Sequence, residues 1–463
     1  MLKLFLGNIK AQRAKVNWLC CALVFCVGNT FSQTTIVQNG ASYTFMREGK
    51  PYYVRGVGGE VNLDLALAIG ANSIRTWGVE NAQKVLDEAQ KKGLTVMLGF
   101  WLQQERGGFD YNDKDKVLKQ FNYYKSMIDK YKNHPALLMW GIGNELNLNY
   151  TNTIVWNAVQ DLAKYAHQVD PNHPTSTVTA GLDSMEVQLI KKQAPDIDVY
   201  CINTYGDIAD VPKYMEQYGW TGPYMITEWG PDGHWESPTT SWNVSIEQTS
   251  TEKKQVYYDR YKNYIEPYKN KCLGSYAFFW GSKQEYTETW YGLFSKDNLP
   301  TEPIDALEII FRNQNPQIPS PTITEITLQN QTSKDNITLK AEDKFTASVQ
   351  SKIAINMTDL IEDSKNKITY EWKILAESTD KKSGGDAELE ASEISGLIKH
   401  PNHASIQFRA PHAAGEYRLF VRLKYNNKLA YANIPFKVIA RNETDKQARF
   451  IELKRVSMES FNH

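Results

Sequence analysis

The sequence predicts a closed parallel α/β barrel followed by a small β-sandwich, on three observations. From about residue 34 to residue 312, eight short and densely apolar runs alternate with stretches of helical spacing. Two of those runs stop abruptly on a glutamate, Glu145 and Glu228. A carboxylate at the end of a buried strand serves no core, whereas strand ends at the C-terminal mouth of such a barrel carry catalytic groups. Beyond residue 321 the apolar spacing changes to period two, which is the texture of a sandwich.

Taken in chain order, residues 1–32 are expected to be a signal peptide. Lys3, Lys10, Arg13 and Lys15 form a basic stretch without an acid, an apolar run follows from Val16 to Val27, and Thr30 and Ser32 set small residues before Gln33. The run is too short for a membrane span. Secretion or a periplasmic location follows, and the bulky Phe25 speaks against a lipid anchor on Cys26.

Residues 33–312 make the barrel. Its first part, 34–50, is a hairpin under the floor with Gln38-Asn39-Gly40 as the turn. Strands are expected at 52–57, 73–77, 95–101, 137–143, 175–179, 199–205, 224–229 and 275–280. Helices are expected around 81–92, 117–132, 154–168 and 252–269, several closed by a breaker such as Gly93 or Pro171. No Gly-x-Gly-x-x-Gly fingerprint or P-loop follows the first strand, which removes nucleotide-binding folds.

Residues 313–321 hold Pro316, Pro319 and Pro321 and read as a stiff linker that few contacts need cross, so the barrel is expected to fold alone. Residues 322–440 alternate near 323–328, 368–374, 417–423 and 430–438. Asn426-Asn427 suits a hairpin turn and Trp372 a buried core position, giving an immunoglobulin-like sandwich. Residues 441–463 form a polar tail.

Composition narrows the function. Basic residues number 52 and acidic residues 53, for a net charge of −1, so no nucleic-acid partner is implied. Loss of the four basic residues of the signal peptide takes that charge to −5. Three of the five cysteines lie in the signal peptide, and Cys201 and Cys272 are expected as buried thiols. No ligand spacing accompanies the histidines, so no metal or organic cofactor is expected. His134 and His173 both stand in Asn-His-Pro segments and are taken as loop-ordering residues.

Two carboxylates facing each other at a barrel mouth are the machinery of acetal cleavage. Glu145 offers the proton donor and Glu228 the nucleophile. Asn144 is placed to bond a sugar hydroxyl beside the reacting carbon. Arg75 and Tyr205, each at a strand end, are expected near Glu228, where they would keep it ionised. Trp280 is expected as a flat platform for a sugar ring, and Trp101, Trp229, His234 and Trp235 as further substrate contacts. Glu60, Glu105 and Glu285 are reserve carboxylates near strand ends.

The segments Asn133-His134-Pro135, 139–147 and Ile226-Thr227-Glu228-Trp229-Gly230 resemble the retaining β-glycosidases of clan A, and 132–145 is particularly similar to the barrel domain of glycoside hydrolase family 2. The resemblance implies an acid/base glutamate after an asparagine at strand four and a nucleophile ending strand seven, and the strand count above puts Glu145 and Glu228 there. It also implies Arg75, Tyr205 and Trp280 around the substrate. Segments 53–57, 71–75 and 291–294 are similar to glucanosyltransferases of family 72, and a barrel with one immunoglobulin-like domain resembles the endo-β-1,3-glucanases of family 158.

The resulting expectation is a retaining hydrolase of a β-glucan polysaccharide or oligosaccharide, with a β-1,3 linkage. A β-glucan transglycosylase and a non-catalytic glycan-binding protein are its alternatives. The sandwich is expected to support the barrel rather than to bind glycan.

Overall fold

Eight parallel strands close on themselves in sequence order, and helices pack around their outer face. The computed structural model describes residues 33–353, 367–382 and 384–441, so the expected signal peptide and the polar tail beyond residue 441 lie outside the described residues. A small antiparallel sheet comes first, with β1 (Thr34–Asn39), β2 (Ser42–Arg47) and β3 (Lys50–Tyr52). Its turn falls at Gly40 and Ala41, one residue later than the sequence suggests, because Asn39 still pairs with Ser42. Gly40 takes φ +61°, which costs glycine nothing.

This sheet seals the barrel floor. Phe45 is fully buried among Val54, Met97, Leu138, Val199 and Met225, and Arg47 donates to the carbonyl of Leu137 at 3.0 Å.

The barrel strands are β4 (Val54–Gly58), β5 (Ser73–Arg75), β6 (Thr95–Phe100), β7 (Leu137–Asn144), β8 (Thr175–Ala180), β9 (Val199–Asn203), β10 (Tyr224–Trp229) and β11 (Cys272–Ala277). All eight overlap the predicted runs, the eighth lying three residues earlier than expected so that Trp280 falls beyond its end. The helices are α1 (Leu63–Ala68), α2 (Ala82–Lys92), α3 (Lys114–Tyr131), α4 (Val155–Val169), α5 (Ser184–Gln193), α6 (Val211–Gln217), α7 (Ser250–Arg260) and α8 (Pro303–Arg312). Alternation along each strand divides its residues between two cores. Val96, Leu98 and Phe100 face the helices, while Met97 faces the interior with Cys201 and Tyr276. Cys201 and Cys272 are free, buried thiols.

The second domain pairs two four-stranded sheets. One runs β12 (Thr322–Leu328), β14 (Lys344–Lys352), β17 (Ser405–Arg409) and β16 (Ile398–Lys399). The other runs β13 (Thr338–Lys340), β19 (Lys428–Ile439), β18 (Gly415–Tyr425) and β15 (Thr369–Ala376). Trp372 lies in their shared core with Phe408, Leu419 and Phe436. Asn426 and Asn427 close the β18–β19 hairpin, and Asn426 takes φ +51°.

The expectation that few contacts cross between the domains does not hold. Lys253 of α7 reaches Glu247 at 2.6 Å and the hydroxyl of Tyr431 at 3.4 Å, and Asn433 donates to Glu247 at 2.6 Å. Arg418 donates to the carbonyl of Ser245 at 2.6 Å and pairs with Glu377 at 2.7 Å, all of it buried. Lys428 meets the buried Asp305 at 2.6 Å, and the Ser320 amide donates to the same carboxylate at 2.7 Å. Prolines stiffen a linker but leave open what lies on either side of it, and here Lys428 of the sandwich neutralises the buried Asp305 of the barrel while Arg418 and Asn433 bond barrel groups away from water. A chain cut after Asn315 is therefore expected to lose about 3–5 kcal/mol of barrel stability, the scale of breaking a buried ion pair. Thermal unfolding of the shortened chain checks this, and an unchanged melting temperature would contradict it.

Candidate active site

Glu228 sits on β10, where strict alternation works against it. Met225 faces the interior and Ile226 the helices, so Glu228 would follow Ile226 outward. The register against β9 slips between Ile226 and Glu228, and this irregularity turns the carboxylate onto the mouth. Glu145 follows β7 directly. Its φ of +52° is rare for a residue with a side chain and costs on the order of 1–3 kcal/mol. The bond from its amide to the carbonyl of Val178, 2.8 Å, helps to hold that turn.

The two carboxylates share one cavity of about 320 Å³ with Trp77, Trp101, Asn144, Tyr205, Trp235, Phe278 and Phe279. Their surroundings differ sharply. Glu228 Oε1 accepts from Arg75 Nη1 at 3.1 Å and from Trp77 Nε1 at 2.8 Å, and Oε2 accepts from the Tyr205 hydroxyl at 3.0 Å. Those donors and the guanidinium charge favour the ionised form. Glu145 receives a single bond, from Asn203 Nδ2 at 2.8 Å. Burial, followed by the charge of Glu228, pushes its pKa up to about 7, against the opposing pull of Asn203 and Arg75. Three donors gathered on one carboxyl and burial acting on the other set the pair in the unlike surroundings that acetal cleavage requires.

Asn203, of β9, ties the site together. Its side chain donates to Glu145 and to Asn144 Oδ1 (3.1 Å), and accepts from Arg75 at 3.1 Å and from Thr227 at 3.0 Å. Arg75 also grips Asn144 Oδ1 at 2.6 Å. Both bonds to Asn144 use its oxygen, and the residue lines the cavity.

Trp280, Trp229 and His234 are corrections. Trp280 is fully buried, donates to the Val61 carbonyl at 2.6 Å and packs edge-on against Phe294, so it offers no face to a sugar in this cavity. Trp229 follows Glu228 and so points the opposite way, fully buried against Tyr257 and Tyr261. His234 stacks on Tyr286, ring centroids 4.9 Å apart, and does not line the cavity. Trp101 and the 60%-exposed Trp235 do line it, as do Asn144 and Tyr205.

Of the reserve acids, Glu285 lines the cavity beside Lys283, its carboxyl raised chiefly by burial. Glu105 instead binds the amides of Thr151 and Asn152, and Glu60 lies in a neighbouring hollow. His134 and His173 order their loops, through Asp87 at 3.2 Å and Asp170 at 2.9 Å. Among the described residues no group of three His, Cys, Asp or Glu could hold a metal ion, and no helix is long and apolar enough to cross a membrane.

Sequence reasoning missed Trp77 and Asn203 as site residues. Both stand in runs that hold a chosen residue, Arg75 or Tyr205, and a polar side chain two places from it faces the same way.

The pair sets a pH dependence. The donor works protonated and the nucleophile ionised, so kcat/KM is expected to fall as pH rises through about 7, where Glu145 loses its proton. A pH–rate profile checks this, and a basic limb that persists in Glu145→Gln would contradict it.

The model of the TIM barrel domain of glycosyl hydrolases family 2 matches residues 59–308. A β-glucuronidase of Paenibacillus borealis is 24% identical over 262 residues, covering 47% of this chain and 42% of that protein. The β-glucuronidase of Sus scrofa is 26% identical over 182 residues, covering 35% and 26%. The chain thus spans less than half the length of these curated relatives. Among solved structures, a β-glucuronidase from an uncultured Clostridium sp. aligns with a TM-score of 0.47 at 22% identity, over 61% of this chain and 54% of that one. A β-galacturonidase of Eisenbergiella tayi bound to galacturonate gives 0.48 at 16%, over 62% and 54%.

Proposed function

The chain belongs to glycosyl hydrolases family 2 by its TIM barrel domain, and on that premise we propose that it cleaves β-linked glycosides with retention, through a covalent intermediate on Glu228. The observation that carries this reading is the buried pair in unlike surroundings, Glu145 with one donor and its pKa pushed up to about 7 by burial, beside a Glu228 that accepts from three donors.

In the first step Glu228 Oε2, which carries only the Tyr205 bond, attacks the anomeric carbon. The glycosidic C–O bond breaks and its oxygen takes the proton of Glu145. In the second step water gives a proton to Glu145, its oxygen bonds to the anomeric carbon, and Glu228 departs as carboxylate. A sugar in place of that water makes the transglycosylase, and longer products would reveal it.

For the substrate we favour a neutral β-glucoside, in keeping with the β-glucan expectation. Glu145, Glu228 and Glu285 line the cavity, and the one ammonium there, Lys283, already stands 2.7 Å from Glu285. A uronic acid would add negative charge, and among the described residues that line the cavity no unspent cation meets it. The relatives named above are uronidases and none is a glucanase, so a β-uronide is the second reading, with Lys283 as its carboxylate partner. Tyr291 and Phe294, from a segment similar to the family 72 glucanosyltransferases, are buried and line no part of the cavity.

Initial rates on 4-nitrophenyl β-glucoside, β-glucuronide and β-galacturonide, and on β-1,3- and β-1,4-glucans, decide between the two. The glucoside and a glucan are expected to be faster, and Lys283→Met to leave them within about threefold. A uronide preference that Lys283→Met abolishes would establish the second reading.

A further inference from the structure

The cavity that holds Glu145 and Glu228 is not built by the barrel alone. Gly384 and Gly385, from the connection between β15 and β16 of the sandwich, form part of its lining. Residues 384–392 leave the sandwich and are pinned to two barrel loops. Asp386 accepts both arms of Arg106, at 2.7 and 3.1 Å, on the loop after β6. Glu388 accepts from the amide of Tyr286 at 2.6 Å, on the loop after β11. Lys381 adds a bond to the Tyr286 hydroxyl at 3.0 Å with its ammonium 4.1 Å from the ring centre. β6 and β11 are the third and eighth barrel strands, three places apart round the ring, so the segment straps one flank of the mouth to another.

The two glycines are the part of the strap that meets the cavity, and a side chain at either would be strained and would crowd a neighbour. Both have positive φ, +66° and +72°. A Cβ on Gly384 would lie 2.6 Å from Leu148, three residues beyond Glu145, and one on Gly385 would lie 2.7 Å from Lys283 Nζ. A glycine pair at a cavity wall brings the backbone itself to a ligand at close range, which suits the hydroxyls of a sugar.

The geometry points to the sandwich as a specificity-determining part of the active site, its 384–392 strap forming a wall that contacts the sugar bound beside the glutamate pair. This rests on the glycosidase reading of that pair, and it adds to the supporting role expected for the sandwich.

The test is the full chain carrying Asp386→Ala and Glu388→Ala, which cuts both latches, with a short β-1,3-glucan oligosaccharide as probe. KM is expected to rise about tenfold with kcat within about twofold, and the melting temperature to stay put. Asp386→Glu with Glu388→Gln should restore KM. Should the double variant fail to fold, Gly385→Ala, which crowds Lys283 at the wall, should raise KM in the same sense. Unchanged KM, or faster turnover by the unlatched protein, overturns the proposal. Calorimetric binding of the oligosaccharide decides the strap without turnover: weaker binding by the unlatched protein supports it, and equal affinities or no binding by the intact protein overturn it. Weaker binding by the unlatched protein together with no turnover by the intact one would keep the strap and count against the glycosidase reading.

Discussion

Glu228→Gln is expected to reduce glycoside turnover by roughly four orders of magnitude or more, for every leaving group, because no nucleophile remains to form the glycosyl intermediate. The amide is nearly isosteric, so Arg75, Trp77 and Tyr205 keep a partner at the same place and the fold is expected to survive. The guanidinium of Arg75 loses its counter-charge at 3.1 Å, which also removes one cause that raises the pKa of Glu145. The donor in the variant should therefore titrate lower than in the wild type. Initial rates on activated and unactivated substrates measure the first effect. A variant retaining more than a few per cent of wild-type activity would remove Glu228 from the reaction.

Glu145→Ala is expected to separate substrates by their leaving groups. Loss of a general acid costs typically about 10²–10⁴-fold where the departing oxygen needs a proton, as a sugar does. A nitrophenolate departs unaided, so the first step on such a substrate should be spared and the intermediate should accumulate. Removing the carboxylate also leaves a hole beside Asn203 and Asn144. Azide fits such a hole and needs no base to attack, so it should restore turnover and yield a β-glycosyl azide. Azide rescue of the Glu228 variant instead, with an α-azide product, would exchange the two roles.

The sequence carried the barrel because its signals are local. Each strand is a run of large apolar residues with a breaker or a helix behind it, and a carboxylate at the end of such a run is conspicuous. That is how Glu145, Glu228, Arg75 and Tyr205 could be chosen without a structure. Direction was harder. Trp280 and Trp229 lie in the same runs as site residues, yet the pleat and one register slip on β10 send Trp229 into the helix layer. A tryptophan count cannot reveal a facing. Asn203 was hidden differently, since an asparagine inside an apolar run shows its purpose only once four partners from other parts of the barrel mouth surround it.

The sandwich shows the limit of composition more plainly. Asn426-Asn427 and the period-two runs are visible locally, whereas Arg418, Asn433 and Tyr431 read as ordinary strand residues. Their contacts with Ser245, Glu247 and Thr289 span sequence separations of 142 to 186 residues, which no window along the chain can see. The same holds for Gly384 and Gly385, which look like a flexible turn and meet the cavity.

The central claim is that Glu228 becomes covalently bound to the sugar, and mass spectrometry of the protein after reaction with a 2-deoxy-2-fluoro β-glycosyl fluoride tests it most directly. The 2-fluorine slows both steps and the good anomeric leaving group restores only the first, so the intermediate should persist. One added glycosyl mass is expected, on the peptide that contains Glu228 and on that carboxylate, with activity lost in proportion to labelling. A label on Glu145 or Glu285, or an unlabelled enzyme whose first product has the inverted configuration, would contradict the account.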